Sequence, residues 1–133
     1  MIDQLEIILP SFNRGYHIIT HLITRKLENL PEKGLINIFI KHTSAAITIN
    51  ENADPSVSDD FESFISHLIP DGSQIYTHIL EGNDDMPAHI KSSIVGQTIS
   101  IPITNHKLNL GTWQGIYLCE FDGPRNRTVR VSV

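Results

Sequence analysis

The sequence predicts an α+β fold: a mostly antiparallel two-sheet β-sandwich with two to three helices, in a single domain over residues 1–133. Three observations carry this. Apolar residues alternate with period two in most segments, they recur at helical spacing in only a few, and the helical segments separate groups of strands instead of alternating with each strand.

Leu5, Ile7 and Leu9 alternate with Gln4 and Glu6, which predicts a strand with one buried face, ended by Pro10. A strand at about 16–19 follows Gly15. Ile19, Leu22, Ile23, Leu27 and Leu30 then predict a helix from about 21 to just before Pro31. Ile36, Ile38 and Ile40 mark the next strand, and Ala45, Ile47 and Ile49 the one after. Between them, across His42-Thr43-Ser44, the buried parity changes from even to odd. A straight strand cannot change parity, so this tripeptide is predicted to be a bulge or tight bend with re-aimed side chains. Asp54-Pro55 starts a helix, with aspartate as N-cap and proline in the first turn. Val57, Phe61, Phe64, Ile65 and Leu68 form its apolar stripe, and Pro70 ends it.

Gln74–Leu80 reads as a strand and Glu81-Gly82-Asn83-Asp84-Asp85 as a turn. A short helix is expected from near Pro87 to Gly96, with Ile90 and Ile94 facing inward. Ile99, Ile101 and Ile103 give another strand, whose Pro102 suits an edge. Thr104-Asn105-His106-Lys107 reads as a hairpin loop. The run from Leu108 to Phe121 is apolar on both faces, as in a central strand or one covered by a partner, and Val129, Val131 and Val133 form the last strand.

With 40% hydrophobic and 19% charged residues the composition is that of a folded globular chain. No apolar run nears the roughly 18 residues of a membrane span, and the first residues lack the pattern of a signal peptide. The single cysteine, Cys119, excludes an internal disulfide and fits a reducing compartment, so the expected location is the cytoplasm. It lies in an apolar run and is expected to be buried and inert. A net charge of −5 argues against nucleic-acid binding. Arg125, Arg127 and Arg130 near the C-terminus, and Lys91, leave room for a local pocket for phosphate or carboxylate.

Four groups of residues carry candidate chemistry. His42, His78 and His89 stand at a bend, a strand end and a helix start, from which three imidazoles can converge on a zinc-like ion with a position left open. The acidic turn between His78 and His89 places Glu81 best as a general base, with Asp84 and Asp85 read as a solvated turn. Glu51 lies just above a helix N-terminus, which favours an anion, while Asp54 has a capping role. Gln114, Glu120 and Asp122 share parity with Ile116 and Leu118, so they need partners, either between subunits or lining a pocket. Trp113 can stack a flat ligand or pack in a core or interface. His17, His21, His67 and His106 read as ordinary surface or helix histidines.

Taken together, several stretches resemble the YjbQ family, also called the secondary thiamine-phosphate synthase family. They are His42-Thr43-Ser44-Ala45-Ala46, Asn50-Glu51-Asn52-Ala53-Asp54-Pro55, His78-Ile79-Leu80-Glu81-Gly82-Asn83 and Ala88-His89-Ile90-Lys91. Gly111-Thr112-Trp113-Gln114-Gly115-Ile116 and Glu120-Phe121-Asp122-Gly123-Pro124-Arg125 complete the series. One departure is Asp84-Asp85-Met86-Pro87, which separates Asn83 from Ala88.

The resemblance implies a compact α+β sandwich assembled as a homotrimer, with His42, His78 and His89 at a metal or anion site. It also implies weak formation of thiamine phosphate from an aminopyrimidine diphosphate and a thiazole phosphate. That reaction would use Mg²⁺ or cations on the leaving pyrophosphate, with Lys91, Arg125 and Trp113 as candidate contacts. Ser44, Asn50 and Gln114 join them as substrate-binding candidates, and His42, Glu51 and Glu81 are the catalytic candidates. Imidazoles suit Zn²⁺ better than Mg²⁺. Three readings therefore stand side by side: an enzyme of small phosphorylated heterocycles, a metal-dependent hydrolase or lyase, and a non-catalytic trimeric binding or scaffold protein.

Overall fold

A computed structural model of the chain describes residues 3–133. The elements run β1 (Gln4–Ile8), β2 (Gly15–Ile18), α1 (Thr20–Thr24), β3 (Lys33–Ile40), β4 (Ala45–Glu51), α2 (Pro55–Leu68) and α3 (Asp85–Val95). They continue β5 (Thr98–Thr104), β6 (Lys107–Leu108), β7 (Gln114–Glu120) and β8 (Thr128–Ser132). The strands form a five-stranded sheet of order β1-β8-β3-β5-β6 and a three-stranded sheet of order β2-β7-β4, with every pairing antiparallel.

The two sheets enclose the main core. Ile36, Ile38 and Ile40 of β3, with Ile101, Ile103, Val129 and Val131, meet Ala45, Ile47, Ile116 and Leu118 of the small sheet. The opposite face of the small sheet carries Ala46, Tyr117, Cys119 and Phe121, and these pack with Ile65 of α2 and Ala88 of α3. The small sheet is thus a middle layer. This explains why β7 is apolar on both faces: helices of the same chain cover the side that a partner would otherwise have to cover. Cys119 is fully buried, and that burial pushes its thiol well above the ordinary value.

The parity change at residues 42–44 has the same origin. The chain leaves the large sheet after Ile40 and enters the small one at Ala45, with a bend between. Asp54 caps α2 by accepting from the Ser56 amide at 2.9 Å. The α2 stripe is narrower than its sequence spacing predicts, since Phe64 and Leu68 are exposed. The hairpin between β5 and β6 turns through Asn105 (φ 52°) and His106 (φ 64°), the doubly left-handed pair that two-residue hairpins use.

Three expected elements differ. The helix starting near residue 20 stops at Thr24, where the bonds from Lys26 to Ile23 and from Leu27 to Thr24 each span three residues instead of four, and Asn29 at φ 57° takes the left-handed conformation beyond it. Gln74–Leu80 is a loop, because no strand pairs with it, and Ile75, Ile79 and Leu80 are exposed. The run from Leu108 to Phe121 breaks into β6 and β7 around a turn in which Gln114 N–H donates to Gly111 O at 3.0 Å.

Candidate functional site

Helix α3 begins at Asp85, two residues before Pro87, and Pro87 costs no helical bond because first-turn amides have no intrahelical partner. This start puts Asp85 and His89 four residues apart, on one face of the helix. The loop before the helix brings His78 to the same face. His78 Nε2 lies 2.8 Å and His89 Nε2 3.1 Å from one atom, Asp85 Oδ2. Asp85 itself is buried, its side chain 7% exposed, whereas the His78 and His89 side chains are 47% and 31% exposed. The group is therefore anchored from below and open above. Glu81 Oε2 stands 4.0 Å from His78 Nε2. Among the described residues, His78, Asp85 and His89 are the one group of three metal-type donors within 4.8 Å of one another.

The second nitrogen of His89 determines what the cluster can do. Nδ1–H donates to the Thr43 carbonyl at 2.9 Å, since a carbonyl can only accept. A neutral His89 then presents a bare lone pair at Nε2 to a carboxylate oxygen. That arrangement is repulsive unless a positive charge sits between them, either a proton on Nε2 or a shared cation. Burial pushes the Asp85 carboxyl up, but hydrogen bonding from His78, the charge of His89 and its hydrogen bond outweigh this and hold it below its ordinary value.

The donor set, two imidazole nitrogens and a carboxylate oxygen, is one that zinc-like ions take and Mg²⁺ does not favour. Donors on a tetrahedral zinc ion stand about 3.3–3.6 Å apart for bonds of about 2.0–2.2 Å. The observed 2.8 and 3.1 Å separations would open by about 0.2–0.8 Å to admit such an ion.

His42 does not join this group. Its Nε2 accepts the Thr128 amide at 2.8 Å, so the lone pair that a metal would use is bound to β8 backbone. Burial and the nearby Arg127 charge hold its imidazole below the ordinary value, consistent with a neutral acceptor. Glu51 ends β4, and a strand of that length puts it about 20 Å from the Thr43 end. Asn50, Gln114 and Trp113 lie at that far end too. Asn50 Oδ1 accepts from the Glu51 amide at 2.7 Å, Gln114 Oε1 accepts from the Gly111 amide at 2.8 Å, and Trp113 is 64% exposed.

The cations are committed elsewhere. Lys91 is 1% exposed, with its ammonium 5.7 Å from the centre of the Phe121 ring. Arg125 bonds Asp122 through its carbonyl at 2.8 Å and its carboxylate at 3.0 Å. Arg130 pairs with Glu6, and Arg127 with Glu120. The three arginines near the C-terminus thus form separate ion pairs, not a joint anion pocket. Glu120 finds its partner within its own chain, and Ser44 Oγ accepts from Arg127 at 2.9 Å.

Asp85 is the residue that sequence reasoning missed, taken for part of a solvated turn. The signal that finds it is Asp-x-x-x-His at i, i+4, legible once the helix is started at Asp85 instead of Pro87.

Comparison with known proteins places the chain among relatives. The family described as "UPF0047 protein YjbQ-like" matches residues 6–133. UPF0047 protein YjbQ of Salmonella typhimurium is 47% identical over 127 residues, covering 92% of this chain and 91% of that protein. UPF0047 protein YugU of Bacillus subtilis is 46% identical over 116 residues, 84% of this chain and 86% of the relative. The crystal structure of an uncharacterized YjbQ/UPF0047 protein from Clostridium acetobutylicum superposes with a TM-score of 0.83 at 42% identity, covering 96% and 98% of the two chains. That of a conserved hypothetical protein from Thermus thermophilus gives 0.84 at 35% identity, covering 99% of each. The two-layered sheets, the flanking helices and the sequence match along nearly the whole length assign this chain to the YjbQ family of UPF0047 proteins.

Proposed function

We propose that this chain is a metal-dependent small-molecule enzyme of hydrolase or lyase type, with His78, Asp85 and His89 as ligands of a zinc-like divalent ion. One observation carries the reading: a single buried carboxylate oxygen faces two imidazole nitrogens, and one of those imidazoles, His89, has its Nδ1 proton committed to Thr43. Three protein ligands leave a coordination position open, as catalytic sites require. A bound ion would supply Lewis acidity toward a substrate oxygen. Glu81, with its side chain 67% exposed and beside His78, is placed to take a proton from an attacking water. His89, held at both nitrogens, orients the group.

Formation of thiamine phosphate, implied by the sequence resemblance, is less well supported by this geometry. It needs free cations for pyrophosphate, whereas Lys91 is buried against Phe121 and Arg125 is engaged by Asp122. The homotrimer implied by the same resemblance would serve to cover Ile75, Ile79 and Leu80, exposed on the loop that carries His78.

Calorimetric titration of chelator-treated protein with Zn²⁺ tests the reading. The expected result is one ion per chain, with binding lost in His78→Ala and His89→Ala and retained in His42→Gln. Absence of binding, or equal binding by all variants, would falsify the metal site.

A further inference from the structure

Three successive carbonyls at the entry to β4 accept bonds from distant parts of the chain, the outer two from α3. Thr43 O receives His89 Nδ1–H at 2.9 Å and Ala45 O receives the Ser92 hydroxyl at 2.7 Å. Between them, Ser44 O receives Arg127 Nη2–H and the Phe121 amide, each at 3.2 Å. Arg127 also clasps both oxygens of Glu120, at 2.7 and 2.6 Å. The pair is buried, with Arg127 2% and Glu120 0% exposed.

Attraction within a buried ion pair is largely offset by the desolvation of its charges, and an apolar pair of similar volume often holds a fold as well or better. Stability is therefore a weak reason for this pair. It does what an apolar pair could not, which is to grip the carbonyl and hydroxyl of Ser44. The plane that carries the Thr43 carbonyl meets the plane that carries the Ser44 carbonyl at Ser44 Cα, so fixing both the carbonyl and the hydroxyl of Ser44 leaves little rotation there and helps aim Thr43 O. That oxygen keeps the His89 proton on Nδ1 and leaves Nε2 turned toward Asp85.

We infer that Arg127 and Glu120 are positioning residues for the His78–Asp85–His89 centre, acting through Ser44 and Thr43 to hold His89 with Nε2 available to a metal ion. The inference rests on the metal reading proposed above. Outer groups that orient a ligand histidine alter metal affinity by roughly 10–100-fold.

The test is the paired replacement Glu120→Leu with Arg127→Met. Near-ultraviolet circular dichroism reports the fold, competition with a chromophoric chelator reports Zn²⁺ affinity, and ¹⁵N NMR of metal-free protein above neutral pH reports the His89 tautomer. A native fold is expected, with Zn²⁺ binding weakened roughly 10–100-fold and His89 exchanging between tautomers. A folded double variant with unchanged affinity and an unchanged Nδ1–H tautomer overturns the inference. Should the double variant not fold, Arg127→Lys keeps the charge without the planar two-pronged grip, and the same readouts decide. If the unaltered protein binds no Zn²⁺, the metal reading fails separately, and the tautomer alone judges whether Arg127 and Glu120 aim His89.

Discussion

Replacing Asp85 with asparagine removes the charge at the centre of the cluster while nearly preserving volume. Two contacts are affected, at 2.8 Å to His78 and 3.1 Å to His89. A hydrogen bond to a charged group contributes about 1.5–3 kcal/mol. The His78 side chain is 47% exposed, so its share is reduced by solvent to about 1 kcal/mol or less. With a proton between Nε2 and Oδ2, the His89 contact, on the more buried side, retains about 1.5–2 kcal/mol. The expected loss in metal-free protein is therefore about 2–3 kcal/mol near pH 6, or roughly 8–12 °C of melting temperature for a chain this size.

The pH dependence gives a sharper check on Asp85→Asn. The folded Asp85 carboxyl lies below its unfolded value of 3.8, so its contribution is complete above that value and disappears as pH falls through the folded one. The two melting curves should converge toward strong acid and stand apart at about pH 5–6. Zn²⁺ affinity should fall as well, because a neutral amide replaces a carboxylate ligand. Equal melting temperatures at pH 6, together with unchanged Zn²⁺ binding, would refute the assignment of Asp85 as the anchor.

Two further variants probe the surrounding structure. The His42 imidazole lies below its ordinary 6.5 when folded, so its stabilising share is full above pH 6.5 and is lost as pH drops from there toward the folded value. In urea unfolding between pH 7.5 and pH 5, His42→Gln should lose less stability than the parent, by about 1 kcal/mol; parallel profiles would show that the Thr128 contact is not pH-sensitive. At Gly115 an added Cβ would stand 2.8 Å from Asn52 Cβ and 3.3 Å from Thr20 Oγ1. Gly115→Ala should therefore cost about 1–3 kcal/mol through overpacking, and an unaltered melting temperature would mean that the Asn52 loop yields freely.

Much of the fold was legible because periodicity reports burial directly. Ile36, Ile38 and Ile40 alternate because one sheet face is sealed, and the parity break at residues 42–44 marked the crossing between sheets. Periodicity fails where burial and pairing part company. Ile75 and Ile79 look like one face of a strand, but no neighbouring strand offers them a ladder. The candidate site was half legible. His78 and His89 stood out as potential ligands, yet three histidines in sequence cannot reveal which lone pairs are already used, and His42 spends its own on Thr128. Asp85 was hidden by a helix boundary set two residues late. Arg127 was visible only as one of several basic residues, because its partner Glu120 lies seven residues back across an irregular turn whose course is a property of the folded chain.

The place of β8 has a consequence for how the protein comes into being. It lies between β1 and β3, so a strand made late, long after both neighbours, is interior to the large sheet, and among the described residues β1 pairs with no other strand. During synthesis the first strand must wait, edges bare, until residues 128–132 have left the ribosome. Such long-range closure slows folding. A nascent chain stalled before residue 128 would hold a split sheet, with two exposed borders open to chaperones or to aggregation.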